Sequence, residues 1–156
     1  MPIATFAPGI FTFTQNGSGQ IIATYAAVAT IDPSEIGALV APRGLTANSR
    51  PARANDVITL WVNGLGPVQP PIGNGRNSFD PGGFMLRNTE SRPTVRIGGS
   101  DVPAGSLLFS GLAPEFVGLY QINLIMPPGF SAGNAVPIQI VIGGVTSRAD
   151  ATIALE

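Results

Sequence analysis

Short apolar stretches rich in β-branched residues, interrupted by glycine and proline along most of the chain, limit most strongly the folds open to this sequence. The 156 residues include 20 Gly and 15 Pro, and no window holds the i, i+3, i+4, i+7 spacing of an amphipathic helix. Because glycine and proline favour turns, the pattern predicts an all-β fold. A chain of this length suits one domain with one core.

Apolar residues that alternate with a period of two identify the main strands. The alternation is clearest over 118–126 and 136–142, and we expect these two faces to form the core. The core residues predicted there are Tyr120, Ile122, Leu124, Met126, Val136, Ile138, Ile140 and Ile142. The predicted strands are 10–14, 20–27, 56–63, 94–97, 106–110, 118–126, 136–142 and 149–155.

In the strand predicted at 56–63, Ile58, Leu60 and Val62 share one face, and Trp61 lies on the other. Two interpretations of Trp61 remain open. It is either a second-face residue covered by a loop or an exposed aromatic that contacts a ligand.

The connections between the predicted strands give a second set of predictions. The pairs Gly98-Gly99 and Gly143-Gly144 each follow a strand, which is where two-residue hairpins place residues of positive φ. A long Pro/Gly-rich loop over 64–91 exceeds the usual length of unstructured connections. It is either a binding loop or a crossover between sheets that is packed down by the four apolar residues Phe79, Phe84, Met85 and Leu86.

The residue types that are missing limit the chemistry. The chain has no His, no Cys and no Lys, and its nine acidic residues are scattered. Most mechanisms that need a general base, a thiolate or a Schiff-base amine are therefore excluded, together with the favoured zinc ligands. We predict a protein without enzymatic activity, with no catalytic residues, cofactor or metal site.

Charge and hydropathy narrow the range of partners. Eight arginines are balanced by nine acidic residues, so we expect no binding to nucleic acid. No uninterrupted apolar stretch is long enough for a membrane span. Arg43, Arg50 and Arg53 form a local cluster in a segment expected to be exposed, where they serve solubility or contact the carboxylates of a neighbouring subunit. The triplet Asn16-Gly17-Ser18 makes Asn16 a candidate glycosylation site in a predicted turn.

Several motifs agree, in order, with one known family. They are Ala7-Pro8-Gly9-Ile10-Phe11-Thr12, Asn16-Gly17-Ser18-Gly19-Gln20, the run 56–67 that ends in Asn63-Gly64-Leu65-Gly66-Pro67, the run 93–99 that ends in Gly98-Gly99, Ser110-Gly111-Leu112-Ala113-Pro114, Gly118-Leu119-Tyr120-Gln121-Ile122-Asn123 and Val136-Pro137-Ile138. Over nearly the whole chain the sequence is similar to the uncharacterised C-terminal domain of large secreted proteins of Solibacter-type acidobacteria.

The resemblance implies an extracellular or cell-surface protein. The implied fold is an immunoglobulin-like antiparallel β-sandwich of about seven to nine strands. It transfers no catalytic residue, because the family has no assigned chemistry. The domain usually ends a longer protein, whereas here it is the whole chain. The chain is therefore either an excised fragment or a stand-alone subunit whose partners are other copies of itself.

The segment 1–14 precedes a sandwich body at 15–156 and contains Phe6, Ile10, Phe11 and Phe13. This apolar arm must pack somewhere. It is either the first strand of its own sandwich or a strand donated to a neighbour, which would propagate into a filament.

Two functions therefore stay open. The first is a structural subunit that assembles itself into a fibre or surface structure. The alternative is an adhesion module that binds cell-surface glycans or another protein through Trp61, Tyr25 and the loop 64–91.

Overall fold

The described residues form two packed β-sheets and a separate sheet of two short strands, at Phe79–Asp80 and Gly83–Phe84, and the predicted all-β sandwich is confirmed. The computed structural model describes residues 4–26, 32–80 and 83–156, with side chains at 79, 80, 83 and 84 left outside the description. No helix in this described part is long and apolar enough to cross a membrane. Two short 3-10 turns, at Pro33–Glu35 and Ala104–Ser106, interrupt the strands.

Fifteen strands occur in the described residues, and many of them span only two residues. In chain order they are β1 Gly9–Ile10, β2 Gly19–Gln20, β3 Ala23–Tyr25, β4 Val57–Asn63, β5 Val68–Gln69, β6 Phe79–Asp80, β7 Gly83–Phe84, β8 Asn88–Thr89, β9 Thr94–Ile97, β10 Ser100–Asp101, β11 Leu107–Leu112, β12 Tyr120–Ile125, β13 Gly133–Ile142, β14 Val145–Thr146 and β15 Ala151–Leu155.

Sheet one is built around β4. The strands β1 and β3 pair with different parts of the same edge of β4, and β12, β11, β8 and β5 follow on its other side. In β4 and β12, the apolar residues of the inner face are fully buried, as the alternation predicted: Ile58, Leu60, Val62, Ile122 and Leu124.

Sheet two has the strand order β10, β9, β13, β15, β2, with β14 paired to the end of β13. Its inner face carries Val95, Ile97, Ile138, Ile140 and Ile153, all buried against sheet one. The core therefore lies between the two sheets. Six of the eight core residues predicted above are buried, and Tyr120 and Val136 are partly buried and pack against them.

The segment predicted as one strand at 20–27 is divided in the structure, and Ala27 lies outside the described residues. Strand β2 pairs in parallel with β15 in sheet two, whereas β3 pairs with β4 in sheet one. The chain thus crosses between the sheets over Ile21 and Ile22, and this crossing interrupts the pairing that a single strand would keep.

The two glycine pairs form the predicted hairpins. Gly98 and Gly99 join β9 to β10 with φ of 57° and 85°, and Gly143 and Gly144 join β13 to β14 with φ of 56° and 77°. Positive φ at both positions is the requirement of a type I′ turn, which glycine meets without steric cost. The same type of turn therefore closes both of these hairpins in sheet two.

Candidate functional site

The N-terminal arm, predicted at 1–14, is the first site predicted from the sequence, and its described part, residues 4–14, packs against its own sandwich. The Ala7 amide donates to the Gly64 carbonyl oxygen at 2.9 Å, and β1 pairs antiparallel with the end of β4. Ile10 is buried and lies opposite Val62 in this pairing. In this chain the arm is thus the first strand of its own sheet one.

Phe6 anchors the arm in a slot lined by glycine, which we call the Phe6 slot. The ring contacts Gly66, which follows β4, and Gly143, which follows β13, so it joins the ends of both sheets. A Cβ at Gly66 would stand 2.6 Å from the ring, and one at Gly143 would overlap it. Only glycine leaves room for Phe6 at these two positions.

Phe11 and Phe13, the other two aromatic residues of the arm, stay at the surface. Their exposed fractions are 41% and 48%. The Thr12 side chain between them is buried, and its hydroxyl accepts a hydrogen bond from the Gly17 amide at 3.0 Å. Of the four predicted arm residues, Phe6 and Ile10 hold the arm, and Phe11 and Phe13 leave apolar surface open.

The structure corrects the prediction that Tyr25 and Arg50 are surface contacts. Tyr25 is 1% exposed and Arg50 is 6% exposed. Arg50 makes paired hydrogen bonds to Glu35, at 2.6 and 2.8 Å, and to Asp56, at 2.7 and 3.2 Å. A buried guanidinium is tolerated because these carboxylates satisfy its donors. Neither residue is accessible to a ligand or to a neighbouring subunit.

These four residues form one connected group, with Tyr25 and Arg50 buried and the two carboxylates partly exposed, which we call the Arg50 cluster. Arg50 Nη1 donates to the Tyr25 hydroxyl at 3.0 Å. Burial raises the pKa of Tyr25 well above its usual range, and the hydrogen bond from Arg50 lowers the pKa of Glu35. The cluster ties the Pro33–Glu35 turn to β3 and to the residue preceding β4, so its role is structural.

Arg43 and Arg53 are exposed as predicted, but their partner is in their own chain. Arg43 Nη2 lies 2.8 Å from Glu156 Oε1, and Arg53 Nε lies 2.5 Å from the same oxygen. These contacts fasten the 43–53 segment to the C-terminal end of β15. The predicted cluster of three arginines is thus divided into one buried residue and two surface residues.

Trp61 is half-buried on the outer face of sheet one, opposite to the core residues of β4. Its indole Nε1 donates to Thr24 Oγ1 on β3 at 3.1 Å. Because this bond reaches across to the neighbouring strand, it holds the indole along the sheet.

The loop 64–91 has features both of a packed crossover and of a binding loop, the two interpretations that the sequence left open. Its strands β5 and β8 extend the edge of sheet one, and buried Arg87 donates to the carbonyl oxygens of Pro70 and Pro71 at 3.0 and 2.7 Å. Met85 and Leu86 are exposed and do not pack it down. The side chains of Phe79 and Phe84, the other two residues predicted to pack the loop down, lie outside the described part of the structure.

The same loop also borders an open cleft of about 350 Å³. Pro67, Ile72 and Arg76 of the loop line it, together with Val117 and Tyr120 from the connection to β12 and its start. The Tyr120 hydroxyl donates to the Gly66 carbonyl oxygen at 2.5 Å, which fixes the base of the cleft beside the Phe6 slot.

Asn16 lies in an exposed turn, as predicted. Its Oδ1 accepts hydrogen bonds from the Thr14 hydroxyl, the Ser18 amide and the Ser18 hydroxyl at 2.8, 2.9 and 2.8 Å. The side chain thus orders the turn that follows the arm. Over residues 4–26, 32–80 and 83–156, no three potential metal ligands come together.

Comparison with known proteins finds no match for this chain. No protein-family model matches the chain, and no curated protein or solved structure matches it either. The family resemblance of the motifs and the immunoglobulin-like character of the sandwich therefore stay predictions.

Proposed function

We propose that this chain is a non-enzymatic structural subunit, extracellular or at the cell surface, that assembles by donating its N-terminal arm to a neighbouring copy. The observation that carries the proposal is the fit of Phe6 into its slot between Gly66 and Gly143. The arm contributes a side chain to a preformed site at the joint of both sheets. A second copy offers the same site to the same arm.

The contacts of the arm are suited to exchange because they join it to the body of the sandwich. They are the Phe6 ring in its slot, the bond from Ala7 to Gly64 and the pairing of β1 with β4. Further along the arm, the Phe11 amide donates to the Trp61 carbonyl oxygen and the Phe13 amide to the Gln20 carbonyl oxygen, and these bonds would also have to be exchanged. Each contact has the same geometry whether the arm comes from its own chain or from another. The balance between the two arrangements therefore depends on the connecting segment and on protein concentration.

The connecting segment is the turn after the arm. Gln15 and Gly17, which precede β2, have positive φ, at 60° and 79°. The left-handed conformation is unfavourable for a residue with a side chain, so Gln15 would gain by extending. An extended segment would carry the arm away from its own body and toward a neighbour.

The surface does little to keep copies apart. The net charge is −1, and charged residues make up 11% of the chain. Weak electrostatic repulsion lowers the barrier to close approach. The extracellular placement is supported by the resemblance of the sequence motifs alone.

Single-cysteine variants test arm exchange directly, because the natural chain has no cysteine. Gly9 and Asn63 lie opposite each other in the β1–β4 pairing, so Gly9→Cys and Asn63→Cys chains are mixed at high concentration and oxidised. Exchange predicts a disulfide-linked heterodimer of the two variants. The control mixture pairs Gly9→Cys with Asn134→Cys, an exposed position on β13, and is expected to stay unlinked.

Deletion of residues 1–14 gives the second test. We expect regular filaments of the full chain in negative-stain images, and their loss in the deleted chain. Filaments that survive the deletion, or a full chain that stays monomeric by light scattering at every concentration and forms no heterodimer, would contradict the proposal.

A further inference from the structure

The outer face of sheet one carries a row of uncharged residues that crosses five strands. Register pairs connect Trp61 to Gln121, Gln121 to Gly111, Gly111 to Asn88 and Asn88 to Gln69, one position on each of five neighbouring strands. Neighbouring strands are about 4.8 Å apart, so the row extends over about 19 Å. We call it the amide row, since three of its five members are amides.

A second row runs beside it on the same face. Thr24 pairs with Thr59, Thr59 with Asn123 and Asn123 with Phe109. The Phe109 ring lies over Gly111, where a Cβ would stand 2.6 Å from its Cζ atom. The gap that glycine leaves in the amide row is thus filled by an aromatic ring.

Several of these side chains are held in place by their neighbours. The Thr59 hydroxyl donates to Asn123 Oδ1 at 3.0 Å, which directs the Nδ2 group of that amide away from Thr59. Trp61 is held by its bond to Thr24. Groups that are already ordered lose little entropy when a ligand binds.

From these two rows we infer that the outer face of sheet one binds an uncharged, linear polysaccharide. Aromatic rings offer apolar surface for the carbon faces of sugar rings, and amides and hydroxyls both donate and accept hydrogen bonds from sugar hydroxyls. Neither row contains an ionisable side chain. Glu90, which accepts a hydrogen bond from Gln69 at 2.7 Å, stands at the outer end of the amide row.

The composition also favours a glycan over a protein partner. The centres of protein interfaces are enriched in Met, Arg and aromatic residues that leave water completely. Here the two rows hold four amides, two threonines and only two aromatic residues, with no Met or Arg. The length of the row corresponds to several sugar units, which favours a chain over a single sugar.

Affinity electrophoresis tests the inference with soluble neutral polysaccharides, hydroxyethylcellulose and a galactomannan, against alginate as a charged comparison. We expect a neutral polysaccharide to retard the protein and to shift the emission of Trp61, the single tryptophan. Alginate should do neither. Trp61→Ala should weaken binding at least about tenfold, since truncation of a main aromatic contact has an effect of that size.

Phe116→Ala is the matched control, because Phe116 is a 57% exposed aromatic residue on the connection from β11 to β12 that belongs to neither row, and it should leave binding unchanged. Gln121→Glu adds one charge in the amide row with little change of size and should abolish retardation even if Trp61→Ala folds poorly. Equal retardation by alginate, no retardation by either neutral polymer, or a change of oligomeric mass in Trp61→Ala without a change of retardation would overturn the inference.

Discussion

The guanidinium carbon of Arg50 lies 4.2 Å from the centroid of the Tyr25 ring, and the two residues also share hydrogen bonds. Arg50 Nη1 donates to the Tyr25 hydroxyl, which lies 3.0 Å from the carbonyl oxygens of both Arg50 and Pro51. The Tyr25 side chain thus contacts both the side chain of Arg50 and the backbone of residues 50 and 51. The Arg50 cluster closes this segment onto β3.

Removal of the Arg50 side chain should therefore destabilise the fold strongly. Arg50→Ala leaves Glu35 and Asp56 without their cation while water still reaches both carboxylates, and we expect a loss of about 1–3 kcal/mol in the free energy of unfolding. Urea denaturation measures it. Arg43→Ala is the control, because its ion pair with Glu156 is exposed and contributes little. Equal effects of the two substitutions would contradict a structural role for the cluster.

The stability of the protein should fall in alkali because of its two tyrosines. Burial raises the pKa of both Tyr25 and Tyr120 in the folded state. Their contribution is complete below the unfolded pKa of about 10 and is lost as the pH rises toward the folded values. We expect the urea midpoint to be level between pH 8 and 9 and to fall above about pH 10.

Absorbance at 295 nm separates this effect from general alkaline damage. Tyrosinate should form together with unfolding in the wild type, and Tyr25→Phe should reduce the alkaline loss of stability, although it also removes the hydroxyl bonds. Tyr120→Phe should reduce it less, since Tyr25 is the more completely buried of the two. Ionisation of both tyrosines near pH 10 in the folded protein would refute the prediction.

Gly111 allows β8 to approach β11 closely. A Cβ at this position would overlap the carbonyl oxygen of Arg87, which accepts a hydrogen bond from the Leu112 amide at 3.0 Å. We expect Gly111→Ala to cost about 1–3 kcal/mol by forcing these strands apart. Gly105→Ala is the control, because no heavy atom lies within 4 Å of a Cβ there. A neutral Gly111→Ala would show that the edge of sheet one adapts freely.

The sequence predicted the parts of the fold that repeat a local pattern. Alternation located the inner faces of β4, β12 and β13, and paired glycines located two hairpins. The two-residue strands β5 and β8 carry no period and were missed. Arg50 was misplaced on the surface because Glu35 and Asp56 approach it only after folding. The glycine slot for Phe6 depends on contacts between distant segments, so the motif at Gly143-Gly144 indicated only a turn.

The stability that the Phe6 slot provides can be measured by comparing alanine substitution at Gly143, in the slot, with the same substitution at Gly98, outside it. Gly98 and Gly143 hold the same place in two equivalent turns, with φ of 57° and 56°. Alanine at either position carries the same left-handed backbone cost, about 1–2 kcal/mol. A Cβ at Gly98 meets only Val136 Cγ1 at an ordinary 3.5 Å, whereas one at Gly143 overlaps the Phe6 ring. Gly143→Ala should therefore destabilise the protein by more than Gly98→Ala does.

A double-mutant cycle assigns the difference to Phe6. Expulsion of the ring should add at most about 1.5–3 kcal/mol, the value of fully burying one large apolar side chain, because Phe6 is only partly buried. In a Phe6→Ala background the ring is already gone, so Gly143→Ala and Gly98→Ala should then cost the same in urea denaturation. If the difference persisted without Phe6, the clash at Gly143 would have another source. If no difference existed in the wild type, the ring would leave its slot at no cost, and the arm would contribute little to the stability of the sandwich.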